Sequence, residues 1–589
     1  MVYLANMANY LLPVGISNFY ELITYRNSKD DRYLFVDKTP FIEEVFDYSD
    51  KVAVITRPRR FGKTINLSML QCFFAAEVNG KSTKGLFNGL SIAKNQDFMD
   101  QVQGKFPVIS LSFKDVKQNS YDSAIEKIKE ILSATYAENQ YLLDSDKLLD
   151  VQKKYFNNIL QKQAPLGELE NSLQNLAKFI YLHTDKLPIL LIDEYDTPIQ
   201  QAYLHDYYDP FITFMRNFFG AALKSEPNVY FYKAVITGIT RVAKESMFSG
   251  LNNLTVYSML DDDHFANYFG FTETEVNQLF TKANIQQETK QIKDWYNGYN
   301  IAGQTIYNPW SIIKCISAKG KIAPYWINTS SNELVTQILI TASPDIKTKF
   351  EVLLQDQSIA EMVDEHVVYK DLNLNRSALW GLLLVAGYLK VTKTVTNEYG
   401  ENCHTLEIPN NEIRLFYSTT IKQWLSGNYG IGLYNDLLTS LITADIAGFQ
   451  DKLQIILMET IGIRDVTKKS QESFFHGLVL GLIVGLKDRY QIQSNKQAGR
   501  GYYDLALYPK DPNAMGIMLE FKALTKEGGK DFDLNQALQL EAKKAFEQIN
   551  AKEYLAEFQQ RKINNVLSLG IAFSAKDLYI YSKPEKTNS

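Results

Sequence analysis

The chain has 589 residues, 45% of them hydrophobic and 22% charged, with a formal net charge of −5. That length suggests roughly three or four domains, and that balance excludes a largely disordered chain and a strongly basic one while allowing a local cationic groove. Three widely spaced cysteines, Cys72, Cys315 and Cys403, form neither a zinc spacing nor a disulfide framework and fit a reducing cytosol. Met1–Ser17 lacks the Lys/Arg-rich start of a secretory signal. The longest apolar runs, Ala378–Leu389 and Gly477–Leu486, fall short of the roughly 20 residues that span a bilayer. A cytoplasmic protein with no membrane contact is expected.

In chain order, Leu34–Pro40 and an amphipathic helix over Phe41–Phe46 lead into an apolar run, Val52–Ile55, that reads as a buried strand. Arg57-Pro58-Arg59-Arg60-Phe61-Gly62-Lys63-Thr64 follows, and Ile65–Phe74 reads as a helix. A strand, a tight loop ending Gly-Lys-Thr and a helix is the arrangement that holds nucleotide phosphates. Loop amides and the helix N-terminus supply N–H donors and partial positive charge. Lys63 would reach the outer phosphates and the Thr64 hydroxyl would bind Mg²⁺, with Arg59 and Gly62 as further cofactor contacts. The strict pattern has a glycine where Arg57 stands, so a solvated basic turn is the competing reading.

Val108–Phe113 reads as a second strand, and residues 120–182 carry helical periodicity. A third strand, in Leu187–Asp196, ends in Asp193-Glu194, and a fourth, Val229–Ile236, runs into Thr237-Gly238-Ile239-Thr240-Arg241. Strands alternating with helices imply an α/β fold with a mostly parallel sheet covered on both faces. Ligands bind at the carboxyl ends of such strands, so Asp193 is assigned to the metal and Glu194 to the attacking water, with Asp196 as backup. A helix N-cap or solvated loop is the bland alternative. Thr237 and Arg241 could sense a γ-phosphate or stabilise developing charge, and an ordinary turn accounts for them equally well. Residues 261–330 read as helices and loops. Their aromatic residues Trp295, Tyr299, Tyr307, Trp310 and Trp326 suit core or interface packing, or stacking on bases. Residues 331–440 are mixed in pattern.

A new unit begins near residue 441: helices up to Leu486, then strands Tyr490–Ser494, Asp504–Tyr508 and Gly516–Phe521, a helix over Asn535–Arg561 and a strand Ser568–Phe573. Residues two apart on a strand share a face, so Glu520 and Lys522 point together and a hairpin can bring Asp504 beside them. Two carboxylates can hold Mg²⁺, and a lysine can position hydroxide and offset phosphate charge, which is phosphodiester hydrolysis chemistry. The competing reading is a solvated hairpin with charges on one face.

Arg57–Thr64 resembles the phosphate loop of the bacterial AAA-ATPase-like proteins, a family that shares the departure at Arg57. Tyr33–Thr39, Leu191–Pro198, Trp295–Tyr299, Tyr307–Ser311 and Tyr325–Thr329 resemble further signatures of that family, over about residues 14–330. The resemblance implies a P-loop parallel-sheet ATPase domain with a helical lid, using ATP and Mg²⁺. Residues 441–589 resemble the PD-(D/E)xK nuclease module often fused to these ATPases, with Tyr503-Asp504 at the Pro-Asp of the name. That likeness implies catalytic Asp504, Glu520 and Lys522, with Glu472 completing the metal site, and Gln548 and Tyr554 on the helix that follows the core. The expected layout is an ATPase core over 1–260, a lid over 261–330, a mixed connection over 331–440 and a nuclease-like domain over 441–589. The expected function is Mg-dependent ATP binding and hydrolysis coupled to nucleic-acid cleavage, DNA ahead of RNA. The alternative is an ATP-dependent switch whose C-terminal domain binds DNA or a protein partner without cutting. A homo-oligomer is compatible with both.

Overall fold

A computed structural model describes residues 10–583 except 28–30, 225–229, 242–253, 261–263, 286–288, 302, 328–331, 342–343, 355, 367–368, 370–371, 373–374, 427–429, 461–474, 476–478, 480–481, 499–500, 525–532, 553 and 575–576. The chain clusters into two compact units, one of Met1–Leu334 with Ala360–Ile413 and one of Val335–Ile359 with Arg414–Ser589. The fold is α/β, as the strand–helix alternation implies.

The first unit is built on five parallel strands: β1 (Val52–Thr56), β2 (Val108–Ser112), β3 (Ile189–Asp193), β4 (Lys233–Gly238) and β5 (Leu254–Tyr257). Their spatial order is β2-β3-β4-β1-β5. Every residue of β1, β3 and β4 is buried, which is why Val52–Ile55, Ile189–Ile192 and Ala234–Ile236 are unbroken apolar runs rather than alternating ones. Helix α1 (Lys63–Phe74) leaves β1 through the phosphate-type loop and packs Leu67, Leu70 and Phe73 into the core with Ile55, Leu191 and Val235. Helices Tyr121–Ala137, Asp150–Leu160 and Ser172–Thr184 connect β2 to β3. β4 starts at Lys233, later than the apolar pattern suggests. Lys233 is buried because its ammonium donates to the carbonyls of Val45, Phe46 and Tyr48 at the C-terminus of the helix Pro40–Asp47. The aromatic segment read as helices and loops also holds a small antiparallel sheet: β6 (Phe271–Thr272), β7 (Tyr299–Ile301) and β8 (Gln304–Tyr307), reversed at Gly303 with φ 82°.

The second unit carries a mixed sheet in the order β9-β10-β11-β12-β13: β9 (Tyr490–Ala498), β10 (Gly501–Pro509), β11 (Gly516–Ala523), β12 (Val566–Ser574) and β13 (Asp577–Tyr581). Neighbours are antiparallel except β11 and β12, which are parallel and joined through helix α3 (Leu534–Ala551). One face packs Leu505, Leu507, Leu519 and Phe521 against Leu569 and Phe573. The other packs Ala506 and Met518 against Ile549, Tyr554 and Phe558. The single helix expected over 535–561 is broken: α3 ends at Ala551 and Ala556–Gln560 forms a short second helix. The break turns Tyr554 back under α3, its amide bonded to the Ile549 carbonyl at 3.2 Å, and so buries its ring. Among the described residues, no helix is long and apolar enough to cross a membrane.

Candidate functional site

The loop between β1 and α1 borders a cleft of about 570 Å³ whose wall includes Arg59, Arg60, Gly62, Lys63, Thr64 and Glu194. In this loop only Arg60 (φ 66°) and Gly62 (φ 89°) take left-handed backbone. Arg57 does not, so its position makes no conformational demand for the missing glycine. Its side chain is fully buried instead, with Nη1 donating to the carbonyls of Thr56, Tyr257 and Ser258 at 2.8–2.9 Å. Burial pulls its pKa down to about 10, which leaves it charged at neutral pH. It anchors the loop to the end of β5.

Lys63 is 5% exposed, and its Nζ donates to the Arg57 and Pro58 carbonyls at 2.8 and 2.9 Å. Burial lowers its pKa against the pull of Glu194, Asp193 and Asp196. The Thr64 hydroxyl donates to Asp193 Oδ2 at 2.6 Å, and the Thr237 hydroxyl donates to Asp193 Oδ1 at 2.6 Å. Burial raises the Asp193 pKa, and these two hydroxyls oppose the rise. Asp193 therefore sits behind the wall with both oxygens engaged, while Glu194, at φ 51°, stands on it and accepts from the Thr197 hydroxyl at 3.1 Å. Neither Thr237 nor Arg241 is among the described residues that line the cleft. Thr237 orients Asp193 from below, and Arg241 makes a backbone bridge with His366.

The aromatic segments of residues 295–329 supply several residues around the loop. The Trp326 indole N–H donates to the Arg59 carbonyl at 3.1 Å, and the Arg60 guanidinium lies 4.5 Å over the Trp310 ring, which itself lines the cleft. Tyr299 packs edge-on against Phe61 at 4.9 Å. Trp326, Tyr299 and Tyr307 are thus packing residues, and Trp310 is the one of the four on the cleft wall. Glu412 is buried beneath them, accepting from the Ser311 hydroxyl at 2.8 Å and from the amides of Trp326 and Ile327. Lys114, Asp115 and Lys117, beyond the end of β2, also line the cleft.

In the second unit the register Leu505↔Leu519 and Ala506↔Met518 sets Asp504 across from Glu520. The Phe521 amide donates to Asp504 Oδ2 at 2.7 Å and the Asp504 amide to Glu520 Oε2 at 3.3 Å, so the two carboxylates lie side by side. Glu520 is 2% exposed. Gln548 on α3 donates to Glu520 Oε1 and its Nε2 is 3.5 Å from the Tyr554 hydroxyl. The Tyr554 phenol is pushed up by burial, Gln548 opposing, and further up by Glu520 and Asp504. Lys522 follows on the same strand face, partly exposed. Glu472 lies outside the described residues.

Among the described residues no group of three or more His, Cys, Asp or Glu side chains is arranged to hold a metal ion. A metal here would take few protein ligands and complete its shell with water and phosphate oxygens. Hard oxygen donors in that number suit Mg²⁺. The donor sets fit: a hydroxyl paired with a carboxylate at Thr64 and Asp193, and two adjacent carboxylates at Asp504 and Glu520.

A family model described as a predicted AAA-ATPase matches residues 13–248, and one described as the PD-(D/E)XK nuclease superfamily matches residues 470–583. The chain carries an AAA-ATPase-like domain followed by a PD-(D/E)XK nuclease-superfamily domain. A relative from Azotobacter chroococcum mcd 1, the "Uncharacterized protein in vnfD 5'region", is 28% identical over 338 residues, which is 56% of this chain. The chain spans 57% of that protein's length.

Proposed function

We propose that the N-terminal domain binds and hydrolyses ATP with Mg²⁺, and that nucleotide occupancy gates phosphodiester cleavage by the C-terminal domain. The observation that carries the first half is the 2.6 Å contact of Thr64 with Asp193 at the foot of a cleft walled by Lys63 and Glu194. The α1 amides and Gly62 receive the phosphates, and Lys63 exchanges its two loop carbonyls for phosphate oxygens. Thr64 and Asp193 would hold Mg²⁺, which would offset charge on the outer phosphates. Glu194 orients the attacking water and takes its proton. Arg59 and Arg60 lie beside the same cleft as further cationic contacts.

In the C-terminal domain Asp504 and Glu520 would hold Mg²⁺, whose charge would lower the pKa of a water and steady the phosphate. Lys522 positions the nucleophile and offsets charge on the scissile phosphate, and Gln548 fixes the Glu520 carboxylate. DNA is the favoured substrate. The 589-residue chain with supercoiled plasmid, with and without ATP and Mg²⁺, tests the whole reading. Nicking that needs metal and responds to ATP supports it, and no cleavage with intact ATP turnover refutes its second half. The engagement of both carboxylates by backbone amides favours a second reading, in which the domain binds nucleic acid or a protein without cutting. DNA retention without cleavage, insensitive to Asp504→Ala, selects that reading.

A further inference from the structure

Asp196 occupies the N-cap of helix α2 (Thr197–Leu204), where an aspartate ordinarily accepts from the helix's own first amides. It makes no such cap. Its Oδ2 reaches across to the end of β4 and accepts from the Ile239 amide at 2.9 Å and from the Thr240 amide and hydroxyl at 2.8 Å. Its Oδ1 is buried with no hydrogen-bond partner among the described residues, and the residue is 3% exposed. A carboxyl so buried and half-satisfied is expensive, which argues for a specific use.

Tyr195 adds two bonds to the same strand end, its amide to the Thr237 carbonyl at 3.1 Å and its hydroxyl to the Thr240 carbonyl at 2.6 Å. Gly238 leaves the room for this, since a Cβ there would stand 2.5 Å from the Tyr195 ring and 2.8 Å from Asp196 Oδ1. Between Asp193 and this clamp sits Glu194 at φ 51°, a left-handed backbone that a glutamate holds only where its surroundings impose it. The clamp grips β4, the strand whose Thr237 also orients Asp193.

We propose that Asp196 is a positioning residue for hydrolysis. By binding the β4 end it holds the Glu194 backbone in the strained turn that keeps the Glu194 carboxylate on the cleft wall, and it touches neither nucleotide nor metal itself. This rests on the reading of the cleft as a hydrolytic nucleotide site. The test uses the full chain, steady-state ATP turnover, and titration with a fluorescent ADP analogue in Mg²⁺. Asp196→Ala should lower kcat about 10- to 100-fold, the effect of a misplaced catalytic group, with KM and ADP affinity within about twofold of the parent. Asp196→Asn, which keeps an acceptor for the Ile239 and Thr240 amides, should restore most of kcat. Should Asp196→Ala fail to fold, Thr240→Val against Thr240→Ser gives the same comparison through the clamp's hydroxyl. A kcat within twofold of the parent in Asp196→Ala, or parallel losses of kcat and ADP affinity, overturns the positioning role alone. A parent chain that binds ATP and never turns it over overturns the hydrolytic reading, and the positioning role with it.

Discussion

Replacing Gly570 with alanine should unseat α3 from the C-terminal sheet. Gly570 pairs in register with Glu520, so it lies in the floor of the acidic site. A Cβ at this position would stand 2.1 Å from the Ala542 carbonyl oxygen, 2.4 Å from the Phe546 nitrogen and 3.0 Å from the Phe546 Cα. All three are backbone atoms of α3, so no change of rotamer relieves the collision. Ordinary contact begins at 3.4 Å, so the helix must retreat by about 1 Å. Overpacking of this kind costs about 1–3 kcal/mol. The retreat also draws Gln548 away from Glu520, and a buried acceptor that loses its donor costs about 1–3 kcal/mol more. The sum, about 2–6 kcal/mol, corresponds to a fall of roughly 5–20 °C in the melting temperature of a unit this size. Scanning calorimetry of the full chain should show one transition moving down by that amount, and plasmid cleavage should fall with it. Unchanged transitions to within about 1 °C together with undiminished cleavage would refute the packing argument.

Lys63→Ala should weaken nucleotide binding about 10- to 150-fold, from the 1.5–3 kcal/mol of a charge-assisted hydrogen bond. Fluorescence titration measures this, and affinity within twofold of the parent contradicts the assigned role. The same variant should abolish any ATP response of cleavage, and a preserved response rules out gating. Asp504→Ala and Glu520→Ala should each reduce plasmid nicking more than about 100-fold and leave ATP turnover untouched. Loss of both activities together would point to misfolding rather than chemistry. Burial lifts the Glu412 carboxyl from 4.5 to about 7, against hydrogen bonds from Ser311, Trp326, Ile327 and Tyr325. The folded chain therefore binds that proton more tightly than the unfolded chain. The stabilisation is complete below about pH 4.5 and lost as pH rises through about 7, a change of about 3 kcal/mol. Glu412→Gln should gain about that much relative to the parent between pH 5 and pH 8. Thermal unfolding of both proteins across that range checks this, and parallel pH profiles would contradict it.

What the sequence determined by itself is what local pattern encodes. Unbroken apolar runs marked β1 and β3, because strands covered on both faces have no exposed side to alternate with, whereas β2 was marked by alternation, with Ile109 and Leu111 buried and the residues between them half-buried. Gly62-Lys63-Thr64 after such a run marked the start of α1, and Asp193-Glu194 marked the end of β3. Period-two spacing put Glu520 and Lys522 on one face, and the short connection after β10 brought Asp504 to them. Tertiary structure alone decided which strand ends meet. Thr237 reads as a γ-phosphate sensor or a turn residue at the end of a strand, yet its hydroxyl is spent on Asp193, 44 residues away. Asp196 reads as a backup acid for the site, or as a helix cap, and instead grips Thr240, also 44 residues away. Glu412 lies in a stretch without a motif, and it organises Ser311 and Trp326 from 101 and 86 residues away. The packing of 335–359 with 414–589 likewise has no local mark. Each of these depends on long-range burial bringing polar groups together where water cannot satisfy them, and a single chain of letters carries no record of that proximity.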